Sequence, residues 1–208
     1  FMGKNFYALG LMSGTSMDGI DASIINSNGI DDFEIMQNKY YKYDDKFINK
    51  LSNLKNKIDK LDDLKSHFND LKSIEKEITI LHAKFTNDIL MKFKHKIDLV
   101  GFHGQTIYHN PDEKISKQLG DGKLLSQLTQ KTVIYNFRQK DIKNGGEGAP
   151  LTPIFHKALV KQKKIELPVC ILNIGGISNV TIIEDYGYHN LKSKDLGPGN
   201  CLIDAWVR

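Results

Sequence analysis

Apolar and polar positions alternate through the first part of the chain. Phe6–Met12 is a short apolar run. In Ile20–Asn26, Ile20, Ala22 and Ile24 fall on one face, with Asp21 and Ser23 on the other. A period of two is the strand period, so these segments predict two strands. Between them lies a stretch of Gly, Ser, Thr and Asp, which makes the pair a β-hairpin with an elaborated turn. Phe33–Tyr41 predicts a third strand. The period then lengthens. Phe47, Leu51, Leu54, Ile58 and Leu61 recur at helical spacing, as do Leu71, Ile74, Ile78, Leu81 and Phe85. Each set lines one face of a helix, so Asp44–Lys96 is expected to be helical. Asp62-Asp63 is placed to cap the second helix. A coiled coil would show a similar stripe, but strand signals on both sides favour a helix packed on a sheet.

Beyond that stretch, Ile97–Phe102 predicts a strand ending in His103-Gly104-Gln105-Thr106, followed by a turn-rich segment. A short helix is expected near Lys123–Gln130 with Asp121 as N-cap, then a strand over Thr132–Tyr135. Three glycines within Lys143–Pro150 predict a loop that a ligand can approach closely. Pro153–Lys161 predicts a helix. Val169–Ile174 and Ile177–Ile183 predict strands joined by a two-residue Gly175-Gly176 turn. Asp195-Leu196-Gly197-Pro198-Gly199-Asn200 reads as a loop leading into an apolar helix at Cys201. That helix is still open at Arg208, so a further C-terminal part is expected.

Charge changes this picture little. The net charge is +4, but Lys alternates with Asp and Glu along the helical stretch. That is a solvated face, not the basic stripe of a nucleic-acid binder, so no nucleic-acid partner is expected. The positive balance would weakly favour an anionic substrate. Cys170 and Cys201 sit among apolar neighbours without metal-ligand spacing and are expected to be buried, reduced thiols. No apolar run reaches the ~20 residues of a membrane span. The N-terminal residues carry neither a signal-peptide core nor a transit composition. A soluble, cytoplasmic protein is the expectation.

Walker A, GxGxxG and GxSxG patterns are all missing from the sequence. What remains is a glycine-containing hairpin near each end and an acid-bearing loop before a helix. The first turn, with Ser13, Gly14, Thr15, Ser16, Asp18 and Gly19, offers hydroxyls and backbone N–H groups suited to phosphate oxygens. Asp18 and Asp21 make sense beside phosphate if they hold Mg²⁺, usually through water. An ordinary polar turn is the alternative. In the last loop, Gly197 and Gly199 would leave a helix N-terminus open to an anion. Asp195 just before it could serve as a general base or as a plain cap. His103 reads more readily as a hydrogen-bonded structural residue than as a catalyst, and Arg138 with Asp141 as a surface ion pair or a grip on a carboxylate.

These segments together resemble the anhydro-N-acetylmuramic acid kinases of bacterial cell-wall recycling. The matching stretches are GLMSGTSMDGIDA (Gly10–Ala22), GFHGQTIYHNP (Gly101–Pro111), LGDG (Leu119–Gly122), FRQKDIKNGGEGAPLTPIFH (Phe137–His156), LNIGGISNVT (Leu172–Thr181) and DLGPGNCLIDAW (Asp195–Trp206). The resemblance implies an α/β fold of the actin-like (ribonuclease-H-like) ATPase kind, with two lobes and the phosphates between two β-hairpins. It implies a first lobe over residues 1–165 and the beginning of a second over 166–208. It also implies an ATP-dependent sugar kinase that opens the anhydro ring of 1,6-anhydro-N-acetylmuramic acid and yields N-acetylmuramic acid 6-phosphate. The ATP site would be Gly14, Thr15, Ser16, Met17, Asp18, Gly19, Ile20 and Asp21, with Mg²⁺ at Asp18 through water. Asp195 would be the catalytic base, and His103, Arg138, Gly197 and Asn200 would bind the sugar. A homodimer is a further expectation.

The family pattern commonly has Asp where Asn136 stands, Gln where Glu147 stands and Thr where Leu196 stands, changes that bear on affinity and pH dependence. Two rival readings stay open: a non-catalytic lobe that binds sugar or phosphate, and a kinase for another sugar. Family members also extend well beyond Arg208. Most of the adenosine pocket would lie in that part, so the chain by itself is expected to bind ATP weakly and turn over little.

Overall fold

The computed structural model describes residues 4–187 and 191–207. The chain divides into two compact units. The first is Phe1–Ser27 with Phe33–Gly148, and the second is Asn28–Asp32 with Ala149–Arg208. The sequence placed the boundary at 165/166. The helix Pro153–Lys163 (α6) falls in the second unit because it packs there on two strands, β8 (Ile177–Ile183) and β9 (Leu191–Pro198).

The first unit is built on a six-stranded sheet. Strands β1 (Phe6–Ser13), β2 (Gly19–Ser27) and β3 (Phe33–Lys42) form an antiparallel meander, with Met12 opposite Asp21 and Gly19 opposite Lys42. The other edge of β1 pairs in parallel with β4 (Leu99–Asn110). Two strands share the far edge of β4. β6 (Thr132–Tyr135) runs parallel to Leu99–Phe102, and β5 (Ile115–Leu119) runs antiparallel to Gln105–Asn110. The expected strand therefore does not stop at His-Gly-Gln-Thr but continues into a hairpin. Gly104 makes that possible. Its φ is +71°, and a Cβ there would lie 2.3 Å from the Leu119 carbonyl oxygen.

The helical stretch resolves into α1 (Asp45–Lys55), a short α2 (Asp63–Ser66) and the long α3 (Phe68–Lys92). The stripe packs on the sheet. Phe47, Leu51, Leu54, Leu71, Ile74 and Ile78 join Leu9, Ile20, Ile24, Val100 and Phe102 in one core. Each fully buried side chain of this size contributes about 1.5–3 kcal/mol. Asp44 caps α1 by accepting from the Phe47 N–H. The expected cap at Asp62-Asp63 is different in kind. Asp62 makes no side-chain cap bond, and Asp63 accepts from the Asp59 and Lys60 N–H groups, closing the turn before α2. Asp121 caps α4 (Gly122–Thr129), which packs on α3, as its sequence position predicts. A further helix, α5 (Phe137–Lys143), follows β6 directly.

The second unit contains a three-stranded antiparallel meander, β7 (Val169–Ile174), β8 and β9. The last β7–β8 pair is Ile174 with Ser178, so the turn spans Gly175, Gly176 and Ile177, one residue more than the sequence indicated. Asp195–Pro198 lies inside β9 instead of a loop. There, Asn179 opposes Asp195 and Ser178 opposes Gly197, leaving Leu196 as the extra residue of a bulge. The short helix α7 (Cys201–Val207) follows and buries none of its residues. Both cysteines are exposed, contrary to expectation. Cys170 lies on the edge strand β7, and Cys201 opens α7. Among the described residues no helix is long and apolar enough to cross a membrane.

Candidate active site

Strands β1 and β6 both run parallel to β4 and end at the same level of the first sheet, where Ser13 closes β1, Asn136 follows β6 and His103 lies between them in the middle of β4. In open α/β sheets that end of the strands is where ligands bind. The chain places its turn of small hydroxyl residues there, directly after β1.

This turn is braced from below. Ser13 is buried, and its hydroxyl donates to the Gly19 carbonyl (2.9 Å) and shares a short bond with the Tyr43 hydroxyl. Burial pushes the Tyr43 phenol well above its usual range, so it stays protonated. The Tyr43 N–H donates to the Asp18 carbonyl (2.9 Å). Across the turn, the Met17 N–H donates to the Gly14 carbonyl (3.2 Å), with Met17 at φ +58°. From β4, the amide of Gln105 donates to the same Gly14 oxygen (2.9 Å). Thr15 at the tip is exposed. Gly19 and Ile20 are buried, so the side chain of Ile20 belongs to the core and does not face a ligand.

Two carboxylates stand beside the turn. Asp18 accepts from the Ser16 hydroxyl (2.6 Å) and from the Tyr40 phenol. The Asp21 carboxyl is raised above its ordinary value, first by burial and then by the negative charge of Asp18. A cation between them would relieve that repulsion, so this pair fits Mg²⁺ held partly through water. Among the described residues no cluster of three or more His, Cys, Asp or Glu side chains forms a cage of protein ligands alone.

His103 and Arg138 are brought together. The Arg138 Nε–H donates to His103 Nε2 (2.7 Å), and His103 Nδ1 lies 2.8 Å from the Gly104 carbonyl oxygen. Nε2 must therefore be the bare nitrogen and Nδ1 the protonated one. Burial and then the Arg138 charge hold the His103 pKa down at about 4, against the opposing effect of the Gly104 bond. The expected Arg138–Asp141 pair takes a different form. Arg138 Nη1 donates to the Gly148 carbonyl (2.8 Å), while Asp141 accepts from the Gly148 N–H (2.8 Å). The two charged side chains thus clamp both faces of one peptide residue in the glycine loop. Glu147 in that loop is exposed.

Beside His103, in the gap between β5 and β6, lies a cavity of about 450 Å³. Phe102 and Tyr135 give it apolar wall, and Glu75, Lys117, Gln118 and Asn136 give it polar wall. Burial pushes the Glu75 carboxyl up, but its bonds to Lys117 and Lys72 (2.8 Å each) outweigh that, and its pKa lies below the ordinary value. Gln118 Oε1 is buried without a hydrogen-bond partner among the described residues. Asn136 sits in the left-handed region and makes no side-chain cap bond to α5, which leaves its amide for another use. A mix of apolar wall, amide side chains and a Glu75 carboxylate already paired with two lysines suits a small polyhydroxyl ligand.

The second unit carries Asp195, exposed on β9, with Gly197 and Asn200 just after it. The approach to the helix end is partly occupied. The N–H groups of Gly199, Asn200 and Cys201 donate to the carbonyls of Gly175 and Gly176 (2.7–3.3 Å), locking the β7–β8 turn to the start of α7. Gly199 permits the approach, because a Cβ there would lie 2.2 Å from the Gly175 oxygen. The Asn200 side chain adds a bond to the Ile174 carbonyl (3.3 Å). Sequence reasoning gave no role to Gln105, nor to Tyr40 and Tyr43, which have no local motif beyond their place at the end of β3.

The family model for anhydro-N-acetylmuramic acid kinase matches residues 6–208. The chain is 54% identical over 207 residues to the anhydro-N-acetylmuramic acid kinase of Pelagibacter ubique (strain HTCC1062), covering 100% of this chain and 55% of that protein. The proteins of that name from Rhizobium etli and Brucella canis are 42% and 40% identical. Each alignment covers 96% of this chain, and 55% and 54% of the relative respectively. The chain thus spans about half the length of the curated relatives it matches.

Proposed function

The chain belongs to the anhydro-N-acetylmuramic acid kinase family, and on that premise we propose that the protein phosphorylates 1,6-anhydro-N-acetylmuramic acid with ATP while opening its anhydro ring. The fold is the actin-like ATPase kind, with the meander and parallel strands of the first unit as its core. One observation carries the reading beyond the family. The hydroxyl-rich turn with its paired acids lies at the same level of the sheet as a sugar-sized cavity of mixed polarity.

In this proposal the turn Gly14–Asp18 receives phosphate oxygens, and Asp18 with Asp21 would hold Mg²⁺. When bound, the metal offsets phosphate charge. His103 and Arg138 support the sugar-facing wall and the glycine loop. Asp195 accepts a proton from water as the water oxygen bonds to the anomeric carbon. The bond from that carbon to the bridging oxygen breaks, and the freed 6-oxygen takes the γ-phosphoryl group, with ADP leaving. The products are N-acetylmuramic acid 6-phosphate and ADP, with the water proton released afterwards. His103 does not compete for the base role, since both its ring nitrogens are engaged and its pKa is about 4. The use of ATP places the work in the cytoplasm, and a homodimer belongs to the same proposal.

The test is Asp195→Asn in a catalytically active form of the protein. An amide keeps the size but cannot take the water proton, so turnover is expected to fall by about a thousandfold or more while sugar binding persists. Wild-type turnover would assign the base elsewhere.

A further inference from the structure

Gln105 is fully buried on β4, paired across the sheet with Ser13 at the end of β1. Its amide nitrogen donates to the Gly14 carbonyl oxygen (2.9 Å) and more weakly to its neighbour Thr106 (3.4 Å). Both partners are carbonyl oxygens, so the orientation of the amide is fixed. Its own oxygen, Oε1, is buried and has no partner among the described residues. An unpartnered buried acceptor costs stability. An apolar side chain of similar length would avoid that cost but lose the bond to Gly14, so what the amide secures is the conformation of the turn.

The consequence lies in the peptide it holds. In a planar trans peptide the C=O and the following N–H point in opposite directions. The Gly14 oxygen is drawn inward by two donors, Gln105 Nε2 and the Met17 N–H. The N–H of Thr15 therefore points the opposite way, out from the exposed tip of the turn. Without Gln105, a single bond within the turn would hold this peptide. Rotation of the peptide would then present a carbonyl dipole, negative end outward, where an anion has to bind.

We propose that Gln105 is a positioning residue for phosphate binding: it fixes the Gly14–Thr15 peptide so that the Thr15 N–H is offered to a phosphate oxygen. This deepens the nucleotide reading given above and rests on it. Gln105→Glu keeps the shape but replaces the donor with an acceptor that repels the Gly14 oxygen. Gln105→Leu removes the donor without adding charge.

Two measurements test the proposal. In the first, a ¹⁵N-labelled, catalytically active form of the wild-type protein is titrated with ATP and Mg²⁺. The Thr15 amide is expected to be among the most shifted resonances. Shifts elsewhere that leave Thr15 unmoved would overturn the role of Gln105, and no shift anywhere would overturn the nucleotide reading itself. In the second, both variants are assayed in a catalytically active form. KM for ATP is expected to rise about tenfold or more, the loss of one charge-assisted bond, while KM for the sugar stays within about twofold. Equal loss toward both substrates in a folded variant, or nucleotide affinity equal to wild type, would overturn it. Should either substitution prevent folding, the wild-type titration decides.

Discussion

Replacing Arg138 with Lys keeps the charge and most of the length, yet it should undo the clamp on the glycine loop. Arg138 makes two directed bonds, Nε–H to His103 Nε2 at 2.7 Å and Nη1–H to the Gly148 carbonyl at 2.8 Å. A hydrogen bond involving a charged group contributes about 1.5–3 kcal/mol. A single ammonium can recover one of these bonds but not both, because it lacks the planar fork. The site is only half-buried, so the expected net loss is about 2 kcal/mol. Two local changes should accompany it. The His103 pKa should rise from about 4 only as far as the ammonium sits farther from Nε2 than the guanidinium, since Lys keeps the charge, and it should stay below 6.5 because burial is the first cause of the depression. The Gly148 amide, left with Asp141 as its remaining anchor, should exchange faster with solvent. Urea denaturation gives the stability change, and an NMR titration of His103 with hydrogen exchange at Gly148 gives the local ones. Unchanged stability with equal Gly148 protection would refute the clamp.

Acid should destabilise the fold through buried histidines. The pKa values of His82 and His103 are both lowered to about 4 from 6.5, so stability is intact above about pH 6.5 and is lost as pH falls toward 4. Each should cost about 2–3 kcal/mol by pH 4.5. His82 also leaves Nε2 buried and unpartnered among the described residues, so His82→Leu should hold its stability at pH 7 and remove about half of the acid loss. Urea melts at the two pH values would show this, and an undiminished acid loss would contradict it. In the second unit, Gly199→Ala should cost about 2–4 kcal/mol, because the Cβ meets backbone oxygen and the bonds from Gly199, Asn200 and Cys201 must lengthen. Thermal melting with hydrogen exchange at Asn200 and Cys201 would check it, and wild-type protection there would count against the lock.

The elements legible in the sequence are those with local patterns. Thr132–Tyr135, Val169–Ile174 and Ile177–Ile183 match their strands to the residue, since β-branched runs bounded by Gly or polar residues carry their own signal. β9 was not legible, because Leu191–Pro198 has almost no apolar alternation and is a strand through its pairing with β8. The β4–β5 hairpin was hidden by the polar His-Gly-Gln-Thr stretch, whose conformation depends on the close approach of Leu119 to Gly104. The expected burial of both cysteines failed because neighbouring apolar residues show local composition, not what covers the edge strand at Cys170 or the helix at Cys201. In the site, the Gly14–Asp18 turn was legible as a motif. The His103–Arg138 bond, 35 positions apart, and the Gln105–Gly14 bond, 91 apart, are products of sheet topology that no local pattern displays.

The central claim is that this chain belongs to an enzyme coupling phosphoryl transfer to hydrolytic ring opening, and one measurement tests it most directly. A catalytically active form is incubated with ATP, Mg²⁺ and 1,6-anhydro-N-acetylmuramic acid in ¹⁸O-labelled water, quenched early, and the products are read by mass spectrometry. The account predicts N-acetylmuramic acid 6-phosphate with one labelled oxygen at the anomeric carbon, unlabelled oxygen in the phosphoryl group, and ADP in equal amount. Label in inorganic phosphate without a phosphorylated sugar, or a phosphorylated sugar with its anhydro bridge intact, would contradict it.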